Sequence, residues 1–132
     1  MARPAALKDF APGFRLSVRD VVGILVGIAA ASYLFSIEPW WSFIVVFVVA
    51  HFFLFCNVVR MARPLELVWA ATFLALASAT LLTETPAWPA TAAISLVVTV
   101  VVVALQMRKP SYHGLAWQRI NPGLRTWWEA KR

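Results

Sequence analysis

The chain has 132 residues, of which 61% are hydrophobic and 14% charged, where a soluble domain is close to half apolar and about a quarter charged. With a mean hydropathy of +0.75, that balance excludes an ordinary water-soluble globule and points to a single integral membrane domain. Twelve Lys and Arg against six Asp and Glu leave a net charge of +6, which suggests nucleic acid only until the bases are placed along the chain.

A hydrocarbon core of about 30 Å, crossed at about 1.5 Å per residue, needs close to 20 apolar residues. Four stretches meet that length, at 18–37, 40–59, 65–82 and 87–107. The expected fold is all-α: a four-helix transmembrane bundle running up-down-up-down (18–107), between a basic N-terminal tail (1–17) and a basic, Trp-rich C-terminal tail (108–132).

Ser17-Val18-Arg19-Asp20 opens the first stretch as a capping box. The Ser17 hydroxyl accepts a backbone N–H three residues on, and Asp20 suits the positive helix end. Asp20 thereby needs no catalytic role. The small run Ala29-Ala30-Ala31 after a basic tail has the look of a signal-peptide cleavage site, but the apolar stretch continues through Tyr33, Leu34 and Phe35, so an uncleaved helix is expected. Gly23, Gly27 and Ala31 at four-residue spacing leave one face nearly bare, where another helix backbone can approach.

Pro39, Pro64 and Pro86 stand at the starts of the next three spans, where the missing proline N–H leaves no intrahelical bond unmade. Pro89 lies inside the fourth and allows a later start. Span two, with Phe43, Phe47, Phe52, Phe53 and Phe55, is bulky on most sides. Such a surface suits lipid, a partner membrane protein, or a carotenoid-like or quinone-like ligand. Ala71, Ala75 and Ala79 give span three a small-residue stripe like that of span one. The connections are only a few residues long, so sequence neighbours are expected to pack as antiparallel helical hairpins; the small-residue stripes make spans one and three, or a dimer through either, the expected close contacts.

Every base falls before span one or in its first turn (Arg19), between spans two and three, or after span four, while the other loops carry only Glu38 and Glu84. The positive-inside rule then places both termini in the cytoplasm, in a membrane expected to be the bacterial inner membrane. Trp40, Trp41 and Trp88 form the outer aromatic belt. On the inner side, Trp117, Trp127 and Trp128 among six bases suit anionic headgroups. The tail is expected to lie on lipid, with docking onto a partner subunit as the alternative. No nucleic-acid partner is expected, because the membrane already accounts for the charge.

His51, near the middle of span two, is the residue most open to a functional reading, since a polar group at that depth is costly. Three roles compete: a structural hydrogen bond to Ser32, Thr72, Ser78, Ser95 or Thr99; a proton relay or substrate contact; and axial ligation of a haem or pigment. The second histidine, His113, lies beyond span four, so a bis-histidine haem within one chain is excluded. One cysteine, Cys56, permits no internal disulfide, and no Cys/His set has metal spacing. No cofactor or metal is expected.

Asn57, Arg60, Arg63 and Glu66 gather at the inner turn, where Glu66 can pair with either arginine. With Gln106 at similar depth they form either a locked turn or a polar mouth. No acid falls mid-span, which disfavours a proton-coupled cation antiporter, and no catalytic constellation is complete. The expectation is a non-enzymatic accessory or scaffold subunit of a larger membrane complex or homo-oligomer. The alternatives are a small transporter or channel using His51, Asn57, Glu66 and Gln106, and a pigment or haem subunit using His51.

Overall fold

The structure, a computed structural model, describes residues 10–131. Arg3, Lys8 and Arg132, three of the bases used above, lie outside the described residues. The described chain is all-helical: α1 (Val18–Phe35), α2 (Pro39–Phe53) continued by a π-helical turn (Leu54–Val58), α3 (Arg63–Thr83), α4 (Trp88–Met107), and the short α5 (Trp117–Ile120) and α6 (Leu124–Ala130). Four helical segments are long and apolar enough to cross a membrane: Val18–Phe35, Pro39–Val58, Arg63–Thr83 and Trp88–Met107. That is compatible with an integral membrane protein. Their ends differ from the expected spans by no more than two residues.

The capping box at α1 forms as expected. The Ser17 N–H donates to Asp20 Oδ2 at 2.7 Å, and the Asp20 N–H donates to Ser17 Oγ at 3.3 Å. Pro39 and Pro64 stand in the first turns of α2 and α3. At α4 the opening proline is Pro89, not Pro86. The Thr80 hydroxyl lies 2.6 Å from the Pro86 carbonyl and 2.7 Å from the Thr91 hydroxyl, which keeps Pro86 in the turn. Pro89 falls where helix N–H groups have no intrahelical acceptor, so it costs α4 nothing.

α1 packs along α2, and α3 along α4. This corrects the expected pairing of spans one and three. A Cβ on Gly27 would sit 3.0 Å from Val49 Cγ2, so Gly27, with buried Ala31, brings α1 close to α2. Nothing lies within 4 Å of the same position on Gly23. The Ala71, Ala75, Ala79 stripe is not the inner face of α3 either: Ala71 and Ala75 are exposed and Ala79 is half-buried. Trp69, Phe73, Ala77 and Thr80 face inward instead. Aromatic rings bring more dispersion contact than methyl groups, and the indole N–H needs an acceptor when water is absent, so that face is the one buried. With Phe47, Phe55 and Val102 it forms the core.

The C-terminal tail folds back onto the chain itself. The Leu115 N–H donates to the Val58 carbonyl at 2.7 Å, and the Gly13 N–H to the His113 carbonyl at 2.6 Å. Tyr112 and Leu124 are fully buried, and burial pushes the Tyr112 phenol above its ordinary range. The expected break at Asn121-Pro122-Gly123 separates α5 from α6, and Asn121 Nδ2 donates to the Pro110 and Tyr112 carbonyls at 2.7 and 2.9 Å. Phe10 meets Trp117 and Trp128 edge-on, with ring centroids 6.0 and 5.4 Å away. Trp117, Trp127 and Trp128 are half-buried.

Gly114 makes that docking possible: an added Cβ would stand 2.4 Å from the Val59 carbonyl oxygen and 2.8 Å from the Tyr112 hydroxyl. Gly114→Ala is therefore expected to destabilise the protein by about 1–3 kcal/mol through overpacking. Gly123→Ala, with nothing within 4 Å, serves as control. Thermal unfolding in detergent, followed by tryptophan fluorescence, checks the difference.

Candidate functional site

The inner face of α4 carries a polar residue at nearly every turn: Thr91, Ser95, Thr99 and Gln106 are all buried. Their spacing of four, four and seven residues keeps them on one helix face. Each meets a partner from another part of the chain except Ser95. Thr91 meets Thr80, and the Gln106 Oε1 accepts the Ala62 N–H at 3.1 Å. The Ser95 hydroxyl, on a residue 1% exposed, has no hydrogen-bond partner among the described residues.

Thr99 is the centre of the seam. Its hydroxyl lies 2.9 Å from His51 Nε2 on α2, accepts the Trp69 indole N–H of α3 at 2.9 Å, and lies 2.8 Å from the Ser95 carbonyl of its own helix. The partner of His51 is thus one of the five hydroxyls that the sequence offers. His51 Nδ1 is 2.7 Å from the Phe47 carbonyl. A carbonyl only accepts, so Nδ1 carries the proton, and Nε2 of a neutral ring must accept. The single Thr99 proton then goes to His51. The Ser95 carbonyl is left with the Trp69 N–H, which reaches it at 3.3 Å.

The imidazole stacks on the Trp69 indole with centroids 4.5 Å apart and planes inclined by 18°, and its centroid is 4.3 Å from that of Phe47. Trp69 stacks in turn on Phe73 at 5.3 Å. Both ring nitrogens of His51 are engaged, and the ring is 7% exposed. This geometry directs no nitrogen lone pair at a haem or pigment, so it gives the cofactor reading of His51 no support.

Asn57, Glu66 and Gln106, the remaining members of the expected polar mouth, do not converge with His51. Asn57 sits in the π-helical turn, where it ties down the segment before α1: its Nδ2 donates to the Arg15 carbonyl at 2.5 Å and to Asp20 Oδ2 at 2.9 Å. Glu66 and Gln106 line a different cavity, which also takes in Arg15, Arg60 and Arg63. Glu66 Oε2 lies 3.9 Å from Arg63 Nε, and its Oε1 accepts the Cys56 thiol at 3.5 Å. The Arg63 side chain is mostly exposed, so that ion pair contributes little. At the opposite end Trp40 and Trp88 stack with centroids 6.3 Å apart, and Trp41 is exposed.

Three features were not anticipated from the sequence. Trp69 reads there as one apolar residue among many, although an indole N–H on a span is itself a call for an acceptor. Thr91, Ser95 and Thr99 share a four-residue period in the sequence, but hydroxyls at that spacing can equally bond back to their own helix, so the period alone does not mark a seam. The π-helical turn carries no local signature. Comparison with models of known protein families, with curated proteins and with solved structures gives no match for this chain.

Thr99→Val keeps the side-chain shape, strands the His51 Nε2 and leaves the Trp69 N–H only the Ser95 carbonyl at 3.3 Å. The expected result is a loss of about 1–3 kcal/mol in unfolding free energy. Thr72→Val, which removes only a bond to the Val68 carbonyl of the same helix, is expected to change stability by less than about 0.5 kcal/mol. Denaturant titration in mixed micelles measures both.

Proposed function

We propose that the protein is a small multi-pass membrane protein that serves as a non-enzymatic accessory or scaffold subunit of a larger membrane assembly, with both ends on the cytoplasmic side of a bacterial inner membrane. The contacts along the helices support alternating directions. Ala62 pairs with Gln106, Trp69 with Thr99, and Thr80 with Thr91, so α3 and α4 run oppositely. Trp40 stacks on Trp88 and His51 reaches Thr99, so α2 and α4 run the same way. That order supports bringing the bases among the described residues to one end and Trp40, Trp41 and Trp88 to the other, in keeping with the positive-inside rule.

The observation that carries the scaffold reading is the outward turn of the small-residue face of α3. Ala71 and Ala75 are exposed on α3, and α1 buries only Gly27 and Ala31, leaving Gly23 open. Between membrane helices small residues favour close backbone approach, because lipid tails compete well against bulky apolar side chains. The α3 alanine face, and Gly23 beyond the part of the α1 face that α2 occupies, are unused within the chain and suit helices of a partner subunit or of a second copy. His51 borders neither the cavity that takes in Asn57 nor the one that takes in Glu66, which gives the transporter reading less to build on.

Extraction from native membranes in mild detergent is expected to recover the protein with a stoichiometric membrane partner. The double substitution Ala71→Leu with Ala75→Leu is expected to abolish that recovery while changing the stability of the isolated chain by less than about 0.5 kcal/mol. A monodisperse monomer from native membranes, unchanged by the substitution, contradicts the reading.

A further inference from the structure

At the base-rich end, beneath the turn between α2 and α3, lies an open cavity of about 310 Å³. Arg15, Arg60, Arg63, Glu66, Gln106 and His113 stand around it. Three guanidinium groups face one carboxylate there. Glu66 is already engaged by Arg63 and by the Cys56 thiol, and Arg15 also acts on the nearby Asp20 carboxylate, which leaves Arg60 with no carboxylate partner among the described residues.

Two details make this more than a solvated basic patch. Arg60 occupies the left-handed backbone region at φ 52, and its guanidinium donates to the Ala11 carbonyl. A non-glycine residue in that region is unfavourable and is held there by its surroundings. Burial, and then the nearby Arg15 charge, push the Arg60 guanidinium below its ordinary range, so two like charges are kept together in a partly dry place.

The second detail is Gln106, 2% exposed. The Ala62 N–H fixes its carboxamide oxygen as the acceptor, so the two amide protons of Gln106 remain to be donated. They have no acceptor among the described residues, and the side chain borders the cavity. The amide nitrogen is not sealed in, since Ser95 Oγ is the one buried side-chain polar atom without a partner among the described residues, so it stands open to the cavity as a donor for a ligand there.

We propose that this cavity binds a phosphate-type oxyanion, held by Arg15 and Arg60 through charge-assisted hydrogen bonds and by the Gln106 amide as a neutral donor. The oxyanion comes either as free phosphate from the aqueous side or as the phosphodiester of an anionic lipid headgroup. Planar guanidinium donors suit either. The site stands apart from the outward alanine face of α3 and does not depend on the scaffold reading.

The test uses the full chain in two settings: inorganic phosphate added to protein in neutral detergent at matched ionic strength, and nanodiscs of phosphatidylcholine with and without phosphatidylglycerol. Thermal stability reads the first, and native mass spectrometry of retained lipid reads the second. Gln106→Glu keeps the acceptor for Ala62 while replacing the donor with a negative charge. Arg60→Gln and Arg15→Gln each remove one guanidinium, and Arg108→Gln, outside the cavity, is the control.

Saturable stabilisation by phosphate, weakened at least about tenfold in Gln106→Glu and Arg60→Gln but not in Arg108→Gln, supports the site with free phosphate as ligand. The same variant pattern seen only with phosphatidylglycerol supports it with the lipid headgroup as ligand. No binding in either setting, or equal binding by all variants, overturns the proposal. If Gln106→Glu fails to fold, as judged by size exclusion and circular dichroism, Arg60→Gln and Arg15→Gln carry the same reading.

Discussion

One hydroxyl, that of Thr99, lies where three long helices meet. Apolar helices surrounded by lipid gain little from burying more apolar surface, so their association rests on close packing and on polar groups that have no better partner than one another. His51 from α2 and Trp69 from α3 both end on Thr99 of α4. Without that node α2 would meet α3 and α4 through aromatic stacking and apolar contact alone. Thr80 with Thr91 and Ala62 with Gln106 repeat the device at either end of the α3–α4 pair.

The periphery depends on the same logic. Asn57 accepts and donates across to the segment before α1, and the Val58 carbonyl takes the Leu115 N–H of the tail. Both groups belong to the π-helical turn at the end of α2. A wider turn redirects backbone groups outward from the helix, and such turns often lie at functional places. Here it ties the chain before α1 and the chain after α4 to one end of the bundle, next to the arginine-lined cavity.

Much of this was legible in the residues. Uncharged runs of helical length located four spans, Ser17 and Asp20 announced a capping box, and the position of His51 called for a hydroxyl on another helix. The orientation of α3 was not legible from its alanines. A stripe of small residues permits close approach without saying which neighbour comes close, and Trp69 with Phe73 had the stronger claim on the core. The short connections already asked sequence neighbours to pack together, as α1 with α2 and α3 with α4 do; that Gly27 is the residue fitted against Val49 shows only once both helices are placed. The tail's return was out of reach, since basic residues and tryptophans suit a lipid surface equally well. What decides it is a set of distant backbone bonds from Gly13 and Leu115.

The central claim is that His51 acts as a fixed acceptor for the Thr99 hydroxyl. Because the chain has two histidines, ¹⁵N labelling of histidine gives a spectrum simple enough to assign with a His113→Gln variant. Nitrogen chemical shifts of His51 are predicted to show a neutral ring protonated on Nδ1, with Nε2 hydrogen-bonded and unprotonated, and no averaging between tautomers. A ring protonated on Nε2, or one exchanging between tautomers as imidazole does in water, would contradict the account.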